Sequence, residues 1–304
     1  GMDKPWVLFV SFVTPHYPLT APQEYFDLYP LESIELPKNY GLDQRGSHPV
    51  IDEYRRLLGI ADELEEADIR NALAAYYGLC SFMDAQVGEV LSALRETGLD
   101  RSTRIIYTSD HGDSMGEHGL WFKSTMYEGS VAVPFIMSGP DLPKGKQVEN
   151  NISLVDCFPT ILEMAGAHLA PEDHDLPGKS LLPMAQGEFE PNRVLFSEYH
   201  AAGSITGFFM VREEQYKFIY YVNYPPQLFN LAQDPAESND LAGEPQYADV
   251  IRRMNQKLRE IVDPEKTDAE ARRDQQRRLD LHGGREQIMA KGFKVPYTPA
   301  PKVD

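Results

Sequence analysis

The chain has 304 residues, with 29 Lys and Arg against 47 Asp and Glu, and so a formal net charge of −18. That balance argues against nucleic acid as a partner, because phosphate binding needs clustered Lys and Arg. No apolar run approaches the roughly 18 residues of a transmembrane helix, which argues against a membrane span.

The length allows a large core plus a smaller appended unit. Residues 5–13 (PWVLFVSFV) are almost wholly apolar and are broken by Pro15, a pattern that predicts a central strand covered on both faces. Residues 20–60 mix Pro, Tyr and charge and read as an irregular excursion. From 65 to 97, Leu73, Tyr77, Cys80, Asp84, Val87, Leu91 and Leu94 recur at three- and four-residue spacing, and Gly98 stops the predicted helix. Residues 105–107 (IIY) and 133–139 (VPFIMSG) read as further strands, and Asp156 starts a helix. This alternation predicts an α/β fold with a mostly parallel sheet flanked by helices over residues 1–190.

The pattern then changes. Residues 193–199, 207–212 and 216–222 are short strands with tight connections, which predict a small antiparallel sheet. A helix over 247–262 completes a unit at 191–263. Residues 264–304 read as a charge-dense helix followed by an extended tail from 296.

The chemistry concentrates in residues 104–123 (RIIYTSDHGDSMGEHGLWFK). The predicted strand delivers Asp110 and His111 side by side at its carboxyl end, where open α/β sheets place ligands. Gly112, Gly116 and Gly119 keep the backbone beyond His111 in a loop, and Lys123 lies on the far side of it. A carboxylate plus an imidazole suits a divalent cation, and a nearby ammonium suits an anion bound to that cation. Asp113, Glu117 and His118 are either further ligands or loop residues satisfied by solvent and backbone. Arg212 and Lys217 are expected on the faces of an antiparallel hairpin.

Five segments, in order, resemble the sulfatase family of the alkaline-phosphatase superfamily: residues 10–18 (VSFVTPHYP), 76–88 (YYGLCSFMDAQVG), the 104–123 site, 133–139 and 228–242 (LFNLAQDPAESNDLA). The resemblance implies an alkaline-phosphatase-like core and hydrolysis of a small-molecule sulfate ester. It implies that Asp110 and His111 hold a metal, Ca²⁺ first and Mn²⁺ second. It further implies that Lys123 and His16 act as catalytic and substrate-binding residues on the sulfate. His200, after a strand in Ser-Glu-Tyr-His, is read as a substrate-binding residue lining the specificity pocket.

The family's paired-Asp strand and its Cys/Ser-x-Pro-x-Arg segment, whose first residue becomes formylglycine, are not found in these residues. Cys157-Phe-Pro-Thr-Ile161 has Ile where Arg belongs and reads as a helix start. The chain is therefore read as an incomplete sulfatase core, with formylglycine expected in a missing segment and Gly1 taken as a tag scar. It is expected to bind cations weakly, to lack turnover alone, and to form a homo-oligomer or pair with an N-terminal fragment. Two cysteines in apolar contexts do not suggest a disulfide framework and fit a reducing, cytoplasmic compartment. An imidazole beside the metal Asp also occurs in choline-sulfatase-like and phosphonate-monoester-hydrolase-like relatives. A phosphonate monoester or phosphodiester hydrolase, and a non-catalytic binding remnant, therefore stay open beside the first reading.

Overall fold

A computed structural model of the protein describes residues 4–62 and 64–291. The tail expected from 296 and the scar read at Gly1 lie outside the described residues. Residues 5–13, expected as a central strand, form no strand, and Phe9 is 87 % exposed. An apolar run becomes a buried strand only where a neighbour supplies its backbone partners, and no strand among the described residues pairs with it.

Within the irregular excursion, a single turn α1 (Gln23–Phe26) precedes α2 (Pro49–Leu57). Pro49 is pre-organised for the first helical position, and the His48 ring accepts the Val50 N–H. Val50, Ile51, Tyr54 and Arg55 are the buried residues of α2 and give it one inward face. The predicted long helix is α3 (Glu66–Glu96), with Glu66 and Asp68 in its first turn and Arg95 in its last, as the helix dipole favours. Its first half, including Ile69, Leu73 and Ala74, packs with Ile34, Met115 and Trp121 in one core cluster.

The site segment opens with β1 (Ile105–Thr108), followed by the two-residue strands β2 (Ser114–Met115) and β3 (Trp121–Phe122) and the short helix α4 (Glu128–Val131). The chain then returns as β4 (Phe135–Ser138), which pairs antiparallel with β1. The expected parallel sheet is thus not observed: every strand pairing among the described residues is antiparallel. A parallel partner requires a crossover connection. Here the site loop folds back on itself and returns β4 to the edge of β1.

Beyond β4, α5 (Cys157–Met164) and α6 (Leu182–Gln186) lead into the second sheet. Asp156, just before α5, is fully buried and accepts hydrogen bonds from the Ser153 and Lys179 N–H groups and from Arg193. The sheet consists of β5 (Val194–Tyr199), β6 (Phe208–Glu213), β7 (Tyr216–Tyr221) and β8 (Gln227–Asn230), antiparallel in that spatial order as its short apolar runs predicted. Both of its faces are covered. Phe208, Met210, Ile219, Tyr221 and Phe229 pack on Val50, Ile51 and Tyr54 of α2 and on Leu120, Met126 and Tyr127 of the site segment. Phe209, Val211, Phe218 and Leu228 pack on Met254 and Leu258 of α7 (Ala248–Ile261). The charge-dense α8 (Pro264–Leu281) and a short α9 (Gly284–Ala290) complete the described chain. No helix among the described residues is long and apolar enough to cross a membrane.

Candidate active site

At the end of β1 the chain turns sharply through Ser109, Asp110 and His111. The Asp110 Oδ1 accepts the His111 N–H at 3.0 Å, and the Ser109 hydroxyl donates to the His111 carbonyl at 2.8 Å. The His111 Nδ1–H donates to the Gly112 carbonyl at 2.7 Å, so Nε2 presents its lone pair. That nitrogen lies 3.7 Å from Asp110 Oδ2. Gly112 is required by space: its N–H donates to the Ser130 carbonyl at 2.8 Å, and a Cβ there would stand 2.2 Å from the Gly129 carbonyl oxygen. The turn is thereby sewn to α4.

The loop between β2 and β3 decides which acidic and imidazole side chains remain available. Glu117 folds back and accepts the Met115 N–H at 2.7 Å. His118 is buried, stacks on Tyr127 at 4.7 Å and donates through Nε2–H to the Ala236 carbonyl at 2.9 Å. Neither stands as a free ligand. Asp113 turns inward; its Oδ1 is buried and has no hydrogen-bond partner among the described residues. Burial pushes the Asp113 carboxyl above its ordinary value, against the opposing pull of Lys123, His111 and His16.

Lys123 reaches the same place from the far side of the loop. Its ammonium donates to His16 Nε2 at 2.5 Å and lies 5.2 Å from the centroid of the Tyr17 ring. The His16 Nδ1–H is committed to the Tyr17 carbonyl at 2.8 Å, which leaves Nε2 as the acceptor. The rings of His16 and His111 are 6.4 Å apart. Lys123 also sits between two non-glycine residues in the left-handed region, Phe122 (φ 70°) and Ser124 (φ 78°). Backbone of this kind costs about 1–3 kcal/mol per residue and persists where its surroundings over-determine it, most often at functional sites.

Comparison with known proteins gives the family of the chain. The sulfatase family model matches residues 1–167, and the model for the C-terminal part of N-sulphoglucosamine sulphohydrolase matches residues 116–263. The chain belongs to the sulfatase family. Arylsulfatase K of Mus musculus is 36 % identical over 290 residues, which cover 88 % of this chain and 51 % of that protein. Choline-sulfatase of Rhizobium meliloti is 36 % identical over 250 residues, covering 80 % of this chain and 47 % of that protein. Among solved structures, the phosphonate monoester hydrolase of Silicibacter pomeroyi aligns with a TM-score of 0.70 at 27 % identity, over 80 % of this chain and 53 % of that one. This sulfatase chain spans about half the length of the curated relatives it matches.

Within this member of the sulfatase family, Asp110, His111 and Lys123 of the site segment and His16 of residues 10–18 are brought to one region. His200 does not join them. Its ring is edge-on to Phe209 at 5.1 Å, its Nε2 lies 3.7 Å from the Glu198 carboxylate, and it lines the space beside Gly207 near Asp268 of α8. Asp113, weighed in the sequence as a further ligand or a satisfied loop residue, turns inward beside Lys123, His111 and His16. Two side chains around the site escaped sequence reasoning: Tyr17 and Tyr54. Tyr17 had a signal in its place beside His16. Tyr54, from the excursion, had none.

The donor set can be tested against a metal ion. Asp110 Oδ2 and His111 Nε2, 3.7 Å apart, are spaced to share one cation at ~2.3 Å from each. The Gly112 carbonyl fixes the imidazole tautomer, as outer partners of metal-binding histidines do. Among the described residues no group of three or more His, Cys, Asp and Glu could hold a metal. Ca²⁺ takes about 6–8 oxygen ligands, so the pair fits part of a shell.

The buried histidines His118 and His48 are expected to make stability sensitive to acid. Burial pushes the imidazoles of His118 and His48 below their ordinary value of 6.5. Between that value and the lower folded one the unfolded chain binds more protons, so stability rises with pH. The contribution is complete above the unfolded value and is lost as pH falls through the folded one. The unfolding midpoint is expected to drop as pH is lowered from about 7 to about 5, and to drop less in His118→Gln. An unchanged pH profile in that variant would remove His118 from the explanation.

Proposed function

We propose that this chain carries part of the active site of a metal-assisted sulfate-ester hydrolase acting on a small-molecule sulfate ester. In this reading Asp110 and His111 are two ligands of a divalent cation, Ca²⁺ or Mn²⁺. The chemistry such an ion supplies is polarisation of the ester oxygen and of the attacking nucleophile. Lys123 and His16 contact the sulfate, and the Lys123 ammonium stabilises charge on the transferring group. The observation that carries the reading is the convergence of Lys123, His16 and His111, with Lys123 Nζ 2.5 Å from His16 Nε2.

No described residue fits the formylglycine nucleophile of the family. Cys157 begins α5, is free and half-buried, and burial raises its thiol above the ordinary value, so it is poorly suited to attack.

Calorimetry with Ca²⁺ or Mn²⁺ is expected to show weak binding to this chain that Asp110→Ala abolishes and Cys157→Ala leaves intact. Tight stoichiometric binding that survives Asp110→Ala would place the ion elsewhere. A second reading, a phosphonate monoester or phosphodiester hydrolase, is favoured by the structural likeness to a phosphonate monoester hydrolase at 27 % identity. Relative rates on an aryl sulfate, an aryl phosphonate monoester and a phosphate diester separate the two. The first reading requires the sulfate to react fastest.

A further inference from the structure

We infer that Tyr54 is a positioning residue for Lys123, and that the β5–β6 loop of the second sheet bears on the site through Tyr54. This deepens the proposed function and rests on its reading of Lys123 as the sulfate contact. Lys123 is held between two left-handed residues, Phe122 and Ser124. Neither has the glycine freedom that would make this conformation cheap, so something outside the segment must hold it.

The holding group is the Tyr54 hydroxyl, which donates to the Lys123 carbonyl. That carbonyl belongs to the Lys123–Ser124 peptide, so one phenol pins the entry to left-handed Ser124 at the residue whose ammonium meets His16. Tyr54 is buried on α2 and belongs to the core cluster formed by α2, the site segment and the second sheet. Burial pushes its hydroxyl up to about 12, so it remains a neutral donor throughout the physiological range.

The ring of Tyr54 is in turn seated by a different part of the chain. Gly203, in the β5–β6 loop, has φ 85°, and a Cβ there would come 3.0 Å from Cδ2 and Cε2 of the Tyr54 ring. The loop is braced by the Tyr199 hydroxyl, which donates to the Ala202 carbonyl at 2.8 Å. The line of contact runs from Gly203 to the Tyr54 ring, from its hydroxyl to the Lys123 backbone, and from the Lys123 ammonium to His16.

Two substitutions test this. Tyr54→Phe keeps the ring on Gly203 and removes only the donor, while Gly203→Ala displaces the ring. The first readout is the rate of Lys123 acylation by acetic anhydride, followed by mass spectrometry on this chain against its other lysines. The second is kcat and KM in a form of the protein that turns over an aryl sulfate. Cooperative melting is the control for folding. Tyr54→Phe is expected to raise the Lys123 acylation rate several-fold and to lower kcat about tenfold, with KM changed by less than about twofold. Gly203→Ala should do the same. The double variant should be no worse than the worse single one, because once the hydroxyl is gone, moving the ring has nothing further to displace.

Unchanged Lys123 acylation and kcat in a folded Tyr54→Phe protein would overturn the inference. A fully multiplicative double variant would overturn the route through Gly203. If acylation responds to Tyr54→Phe while no sulfate ester is ever turned over, the clamp on Lys123 stands and the sulfatase reading of the site falls.

Discussion

In a form of the protein that turns over an aryl sulfate, replacing Lys123 with alanine is expected to lower kcat by roughly 100-fold or more, the usual loss on removing one charge-stabilising donor from a preorganised site. The expectation rests on how the ammonium is held. It is fixed against His16 Nε2 at 2.5 Å and over Tyr17, on a segment whose backbone is itself strained. A donor fixed in advance acts on charge that develops during the reaction. Its loss should therefore fall on kcat more than on KM. Lys123→Arg should recover only part of the rate, because a planar fork cannot reproduce a compact ammonium against an imidazole nitrogen. An alanine variant that loses only a few-fold, or loses affinity alone, would show that Lys123 does no more than help bind the substrate.

Replacing Lys217 with methionine is expected to destabilise the protein by about 3–5 kcal/mol, the usual result of leaving one half of a buried ion pair alone. Lys217 stands on the antiparallel β6–β7 hairpin opposite Arg212, as expected, but on a covered face: its side chain is 0 % exposed and donates to the Glu237 carboxylate and to the Met126 carbonyl at 2.8 and 2.9 Å. Glu128 adds a third oxygen at 2.5 Å. Glu237 also accepts the Glu128 N–H, so the network ties β7 and the 228–242 segment to the start of α4. Burial already pushes the Glu237 carboxyl above its ordinary value, with Lys217 pulling it back. Without the ammonium that value rises further. The stability lost is then largest at high pH and shrinks as acid protonates the carboxyl in the folded state. Urea unfolding at neutral and mildly acidic pH measures this. A Lys217→Met, Glu237→Gln double variant should recover much of the loss, and no recovery would mean that the cost is packing rather than charge.

Local pattern and non-local pairing explain what could and could not be read from the chain. The three- and four-residue spacing from Leu73 to Leu94 defined α3 to within a residue or two, because a helix satisfies its own backbone. The short apolar runs of the second sheet were equally legible. Residues 5–13 have the composition of a buried strand, yet a strand is completed by a partner that composition does not name. The same limit turned an expected parallel sheet into the antiparallel β1–β4 pair. In the site, the order Asp110-His111-Gly112 and the later Lys123 pointed to one place from residue order alone. Glu117 and His118 could be set aside only once their hydrogen bonds to the Met115 N–H and the Ala236 carbonyl were seen. Tyr54 lies far from Lys123 in sequence and carries no motif, so its role is a product of packing alone.

The second sheet has one face on α2 and the site segment and the other on α7. Amides of β6 and β7 should consequently be the last in the protein to exchange with deuterium, through whole-molecule opening alone. The turn at Asp110–Gly112 hangs from that slow-exchanging unit through Ser130 and the Lys217 network. Heat should therefore abolish the site's geometry and the sheet's protection in one transition, with no warmed state in which the sheet survives and the site does not.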